Sequence, residues 1–190
     1  MAKNLVLVGF MGSGKSSVGR LVADARGVAF IDLDQRIEEM TGQTIEAIFE
    51  QQGEARFRNF ESAALARALA DGGSVVAVGG GAVMDDHNWA LIQDGNLVVR
   101  LRASDAETLA RLGDGQARPL AGAGRLRDQP ELQQRLMGLA AGRESRYAEA
   151  AVQLDTTGRS IEAVAAEVAE MARAAGIGGA AHGGEESVDG

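Results

Sequence analysis

The stretch "LVLVGFMGSGKSSVGRLVADAR", residues 5–26, joins an apolar, strand-like run to a segment of helical spacing through Gly9-x-x-x-x-Gly14-Lys15-Ser16. The pattern carries a meaning only when a strand leads into it and a helix leads out, and both flanks are present. Its glycines let consecutive backbone N–H groups curl round an anion, and the N-terminus of the following helix adds partial positive charge. A chain with this element at its start is expected to be α/β.

The rest of the sequence continues that rhythm. Residues 4–10, 28–32, 74–80, 96–102 and 151–155 read as short buried strands. Helical spacing is predicted over 15–26, 34–51, 54–70, 105–112, 130–147 and 160–173. Apolar strands alternating with helices imply βαβ units and a parallel sheet covered on both faces. The expected fold is a three-layer α/β/α domain with a five-stranded parallel sheet, spanning 1–175. Two regions fall outside the pattern. "GDGQARPLAGAGRLR", residues 113–127, has the glycines of a lid, and residues 176–190 have little to bury and read as a disordered tail that includes His182.

Composition removes several classes. The chain has no cysteine, hence no disulfide or thiolate site, in keeping with a reducing cytoplasm. A formal net charge of −8 argues against a nucleic-acid partner. No apolar run approaches the roughly 18 residues of a membrane span. Only two of the 19 Lys and Arg residues are lysines, Lys3 and Lys15. Retaining a lysine at 15 in so arginine-rich a chain suggests a need for a compact ammonium there.

The candidate chemistry starts at the glycine-rich loop. Gly12, Ser13, Gly14, Lys15, Ser16 and Ser17 are expected to hold a nucleotide, with Lys15 on the β and γ phosphates and the Ser16 hydroxyl on Mg²⁺. Asp32 and Asp34 close the second strand-like run, at the end of the sheet where ligands bind. Two apart on an extended chain, they are expected to point the same way. One carboxylate could serve the metal and the other an acceptor hydroxyl, or either could simply cap the next helix. Arg56 and Arg58 open a helix whose dipole disfavours cations. They could be surface charges paired with Glu54 or Glu61, which is the expectation for Arg56. Arg118 in the lid could close over a transferring phosphate. Arg143 sits at a helix end, where a basic residue often caps. His87 and Trp89 have no chemical partner in the sequence. The run "VVAVGGGAV" raises a separate question, because Gly79, Gly80 and Gly81 are more glycines than a turn needs.

Together these segments resemble the shikimate kinase family across residues 4–160. "GFMGSGKSSVGR" is similar to its phosphate loop, and "FIDLDQRIEEMTGQTIEAIFEQQGEARFRNFE" to its acceptor-binding region, about 33–61 here. "RNFESAAL" followed by "VVAVGGGAV" resembles its signature, "ARPL" its lid, and "RESRY" its late arginine-to-tyrosine element. The resemblance implies a nucleoside-monophosphate-kinase-like P-loop fold. It also implies ATP-dependent phosphorylation of the shikimate 3-hydroxyl, in the chorismate route to aromatic amino acids. It assigns one Mg²⁺ to Ser16 and Asp32, the acceptor to Asp34, Arg58, Gly80 and Arg143, and ATP phosphates to Arg118. Arg111 resembles an arginine stacked on adenine, and Arg159 a second nucleotide contact. Gly79 and Gly81 would join Gly80 in presenting backbone N–H groups to the acceptor ring, where a Cβ would not fit. The enzyme is expected to be a cytoplasmic monomer with no nucleic-acid or membrane partner.

The sequence departs from the family in carrying Ser145 where a proline is common, and Ile161 near the expected adenine-facing proline. Two rivals stay open at this level. One is another small P-loop metabolite kinase such as a gluconate kinase, which "RNFE…GGG" disfavours. The other is a non-catalytic ATP-binding module, which would have no use for Asp34, Arg58 and Arg118.

Overall fold

Apolar side chains on each strand alternate between two cores, and this alternation gives the molecule its layers. In the computed structural model, which describes residues 2–113 and 129–178, five strands form one sheet. They are β1 (Leu5–Val8), β2 (Ala29–Asp32), β3 (Ser74–Ala77), β4 (Leu97–Arg102) and β5 (Val152–Asp155), all parallel, in the order β2-β3-β1-β4-β5. Leu5 and Leu7 face one core with Val75, Val99 and Leu101. Val6 and Val8 face the other with Val76, Val78 and Val98.

The first core is closed by α1 (Lys15–Arg26) and α8 (Ile161–Ala174), through Val18, Val22, Val164 and Val168. The second is closed by α2 (Leu33–Thr41), α3 (Ile45–Ala70), α4 (Asp86–Gln93) and α7 (Glu144–Ala148), through Ile37, Leu65, Ile92 and Tyr147. The remaining helices, α5 (Asp105–Gly113) and α6 (Pro130–Gly142), lie on either side of the segment 114–128, which is outside the described residues together with Arg118.

All five expected strands form, each trimmed at one end or both, and two of the expected helices are more broken than their periodicity suggests. The segment 34–51 divides because Gly42 takes the left-handed conformation that ends α2, and Thr44 caps α3 by accepting from the Ala47 N–H. Gly53 interrupts α3 at φ 79°, ψ 169°, in the gap expected between 34–51 and 54–70. The segment 130–147 divides at Arg143, the single residue between α6 and α7. Helix α4 was not expected. Its signal is Asp85, whose carboxylate accepts from the Asn88 N–H at 2.9 Å, followed by Trp89 and Ile92 on the buried face.

The expected tail boundary at 176 is also corrected. Ile177 is only 1% exposed and packs in the core under α8. Arg26 donates to the Ile177 carbonyl at 3.1 Å and to the Gly178 carbonyl at 2.6 Å. The packed chain therefore extends to Gly178. Ile177→Ala is expected to cost about 2–5 kcal/mol, read as a lower thermal midpoint with kcat unchanged. An unchanged midpoint would place Ile177 outside the cooperative core.

Candidate active site

The loop after β1 is shaped by two glycines, Gly12 at φ 77° and Gly14 at φ 94°, a region that side chains with a Cβ avoid. Helix α1 follows directly, so the loop's N–H groups and the helix N-terminus face the same space. Lys15 is 6% exposed, and its Nζ donates to the Gly9 and Phe10 carbonyls at 2.8 and 3.0 Å. Its ammonium is thereby held across the loop.

Beside it, the Ser16 hydroxyl donates to Asp32 Oδ2 at 2.5 Å. Asp32 does two jobs, because its Oδ1 accepts from the Asp34 N–H at 3.1 Å and caps α2. That cap also corrects one expectation. The strand stops at Asp32, so Asp34 lies in the first turn of α2 and reaches the site from a helix, not by strand alternation. A hydroxyl and a carboxylate converging on one point are hard oxygen donors of the kind Mg²⁺ takes alongside phosphates and water. Among the described residues no cluster of three or more His, Cys, Asp or Glu could hold a metal by itself.

A cleft of about 530 Å³ runs from this loop towards α5 and the start of α8, lined in part by Gly12, Lys15, Ser16, Ser17, Arg111 and Arg159. Arg111 bonds the Gly12 carbonyl at 3.2 Å and Thr156 Oγ1 at 3.3 Å, and it pairs with Glu107. It ties α5 and the end of β5 to the phosphate loop. Arg159 is held by Glu167 at 2.6 Å. Ile161 lines the same cleft. Ser13, within the loop, is buried.

A second cavity of about 280 Å³ adjoins the first and shares Met11 and Lys15 with it. It gathers Asp34, Arg58, Arg143 and the three glycines 79–81, residues that the sequence scatters over more than a hundred positions. Phe49 and Phe57 form its apolar wall, with ring centroids 4.6 Å apart. Arg58 donates to Glu61 at 2.7 Å and to Glu54 at 2.9 Å. Arg56 instead lies exposed over the Phe60 ring, 4.8 Å from its centroid.

Glu61 is not the solvated partner that its spacing suggested. It is 1% exposed, and burial pushes its carboxyl up while the Arg58 guanidinium draws it back down. Tyr147, which the sequence offers only as the end of the arginine-to-tyrosine element, is a second contributor. Its hydroxyl donates to the Gly80 carbonyl at 3.4 Å and lies against the Arg143 guanidinium. Its signal in "RESRY" is the four-residue spacing from Arg143 on one helical face.

The triple glycine also has a reason within the protein itself. None of the three has positive φ, so backbone conformation does not require glycine. A Cβ on Gly80 would lie 2.8 Å from both Arg143 Nη1 and Tyr147 Oη. One on Gly81 would lie 2.7 Å from Arg58 Cζ, and one on Gly79 3.2 Å from carboxylate oxygens of Asp34 and Glu61. Within the protein, the space of the missing side chains is taken by groups of Arg58, Arg143, Tyr147, Asp34 and Glu61.

A family model described as shikimate kinase matches residues 11–173. Among curated relatives, a shikimate kinase of Geobacter sulfurreducens is 43% identical over 171 residues, covering 90% of this chain and 91% of the relative. One of Moorella thermoacetica is 41% identical over 174 residues, covering 92% and 96%. A solved shikimate kinase from Acinetobacter baumannii in complex with shikimate superposes with a TM-score of 0.82 at 31% identity, covering 92% of this chain and 94% of that one.

The glycine geometry makes a prediction. Gly81 has φ −87°, which alanine adopts without strain. Gly81→Ala is therefore expected to leave the thermal midpoint unchanged while pushing Arg58 aside. A shift of about 1 Å in a binding group can cost a hundredfold, so acceptor KM should rise tenfold or more at constant ATP KM. A variant with normal acceptor KM would show that Arg58 tolerates the displacement.

Proposed function

The chain belongs to the shikimate kinase family, and from that premise we propose how its residues divide the work. It is an ATP-dependent kinase that phosphorylates shikimate on the route to aromatic amino acids. The observation that carries the assignment of roles is the shared wall. Lys15 borders both the phosphate-loop cleft and the cavity holding Asp34, Arg58 and Arg143. A nucleotide on the loop and an acid in the cavity would meet at that ammonium.

In this reading Arg58 and Arg143 grip the shikimate carboxylate, the geometry in which guanidinium forks outperform ammonium groups. The ring then lies against the strand end at Gly79–Gly81, with its 3-hydroxyl towards Asp34. Asp34 accepts the hydroxyl proton as the hydroxyl oxygen attacks the γ-phosphorus. The bond from that phosphorus to the bridging oxygen breaks, and ADP leaves with shikimate 3-phosphate. Lys15 and the loop N–H groups hold the phosphates in line and spread their charge. Ser16 and Asp32 would hold one Mg²⁺, which supplies charge neutralisation on the β and γ phosphates. Gly12–Ser17, Arg111 and Arg159 would line the nucleotide. Arg118 is proposed as a further phosphate cation on its sequence resemblance alone. A net charge of −8 keeps like copies apart, which supports a monomer, and the cytoplasm is the proposed location.

Coupled ADP release with shikimate, quinate and gluconate offered separately tests the acceptor. Turnover is expected with shikimate, and robust turnover with gluconate alone would replace the reading. Asp34→Asn should lower kcat by about 10²–10⁴-fold with ATP KM little changed; a loss below tenfold would reduce Asp34 to an orienting group. Lys15→Ala and Lys15→Arg should both abolish transfer in a folded protein. An active arginine variant would show that the cradle accepts a planar cation.

A further inference from the structure

Strand β4 carries an arginine in the middle of its apolar run. Arg100 shares the parity of Val98, so its side chain faces the core closed by α7, and it is 6% exposed. A buried guanidinium at that position stabilises nothing by itself, and a well-packed apolar side chain often serves a core as well or better. Its contacts supply a reason. Nη1 and Nη2 donate to the two carboxylate oxygens of Glu144 at 2.9 and 2.6 Å, a two-pronged grip on the first residue of α7. Nη1 also meets Gln153 Oε1 at 3.3 Å. Gln153 is the register partner of Arg100 on β5, and its amide donates to the Tyr147 and Ala150 carbonyls at 3.0 and 3.1 Å. The guanidinium further lies 5.1 Å from the centre of the Tyr147 ring.

Helix α7 is five residues long, far below the length that holds itself together. Arg100 takes its first residue, and Gln153 takes carbonyls at its far end. Arg143 is the residue immediately before it, and Tyr147, on its face, touches both Arg143 and Gly80. We propose that Arg100, through Glu144 and with Gln153, is a positioning residue for acceptor binding, clamping α7 so that Arg143 stands at the cavity. This rests on Arg143 gripping the acceptor as proposed above. Arg100 does not line the acceptor cavity and acts only through the helix.

The test compares Arg100→Met, Glu144→Gln, their double variant and Arg143→Ala, measuring KM for shikimate, KM for ATP, kcat and thermal midpoint. The expected result is a shikimate KM raised about tenfold in each single clamp variant, with ATP KM and kcat within about twofold. The double variant should be no worse than either single, because both break one coupled pair. A purely structural pair would lower the thermal midpoint and leave shikimate KM unchanged, and that outcome overturns the proposal. If Arg100→Met does not fold, Glu144→Gln decides by the same criterion, because its side chain is 56% exposed and tolerates the change. Arg143→Ala separates the two levels. An impaired Arg143→Ala beside a normal Glu144→Gln overturns the clamp alone. A normal shikimate KM in Arg143→Ala overturns the acceptor reading and the clamp with it.

Discussion

Two guanidiniums have to be kept in one small cavity at the carboxyl end of β3 without driving each other out, and the groups around them are arranged to meet that demand. Like charges this close repel, and desolvation sharpens the repulsion. Glu61 answers it from below. Its buried carboxylate is bonded to Arg58 and also feels the charges of Arg143 and Asp34. Because one partner of such a pair cannot be removed without stranding the other, Glu61 fixes Arg58 more firmly than a surface pair of the same spacing could. An acidic acceptor entering between the arginines would complete the neutralisation.

Space is the second half of the same demand. Guanidiniums are broad, planar groups, and they reach the strand end only because Gly80 and Gly81 leave room beside the backbone. The nucleotide side is built on different terms. There the glycines serve left-handed backbone at Gly12 and Gly14, and the cation is one ammonium held by loop carbonyls. The same residue type thus solves a conformational problem on one side of Lys15 and a steric one on the other.

These differences mark what the sequence could and could not disclose. The five strands, the parallel sheet and the phosphate loop are legible because strand parity and loop spacing are local properties. That Asp34, Arg58, Arg143 and the three glycines share one cavity is also legible, once the family resemblance is recognised. Glu61 was not legible: a glutamate three residues from an arginine looks the same whether it is solvated or buried, and only the packing of α3 against β3 and α2 decides. The crowding around the triple glycine is hidden for a related reason, since the groups beside the missing side chains come from α3 and the start of α7, distant in sequence. Helix breaks at Gly42 and Arg143 are blurred because periodicity persists across a short interruption, whereas the one at Gly53 falls in the gap between the expected segments 34–51 and 54–70. Ile177 was assigned to the tail because a lone apolar residue in a glycine-rich stretch carries no periodic signal.

The lysine at 15 in a chain that otherwise favours arginine follows from the geometry of the loop. Its Nζ is a single point that donates to two adjacent carbonyls, those of Gly9 and Phe10, while lying on the border of both cavities. A guanidinium spreads its donors over a plane and would have to choose between the loop and the ligands, or wedge the cavities apart. The arginines sit where a planar fork is the better shape, against a carboxylate in Arg58 and Arg100. The division between one compact cation at the junction and broad cations around it is therefore a division of shapes. It places the residue that borders both cavities where a point charge fits best.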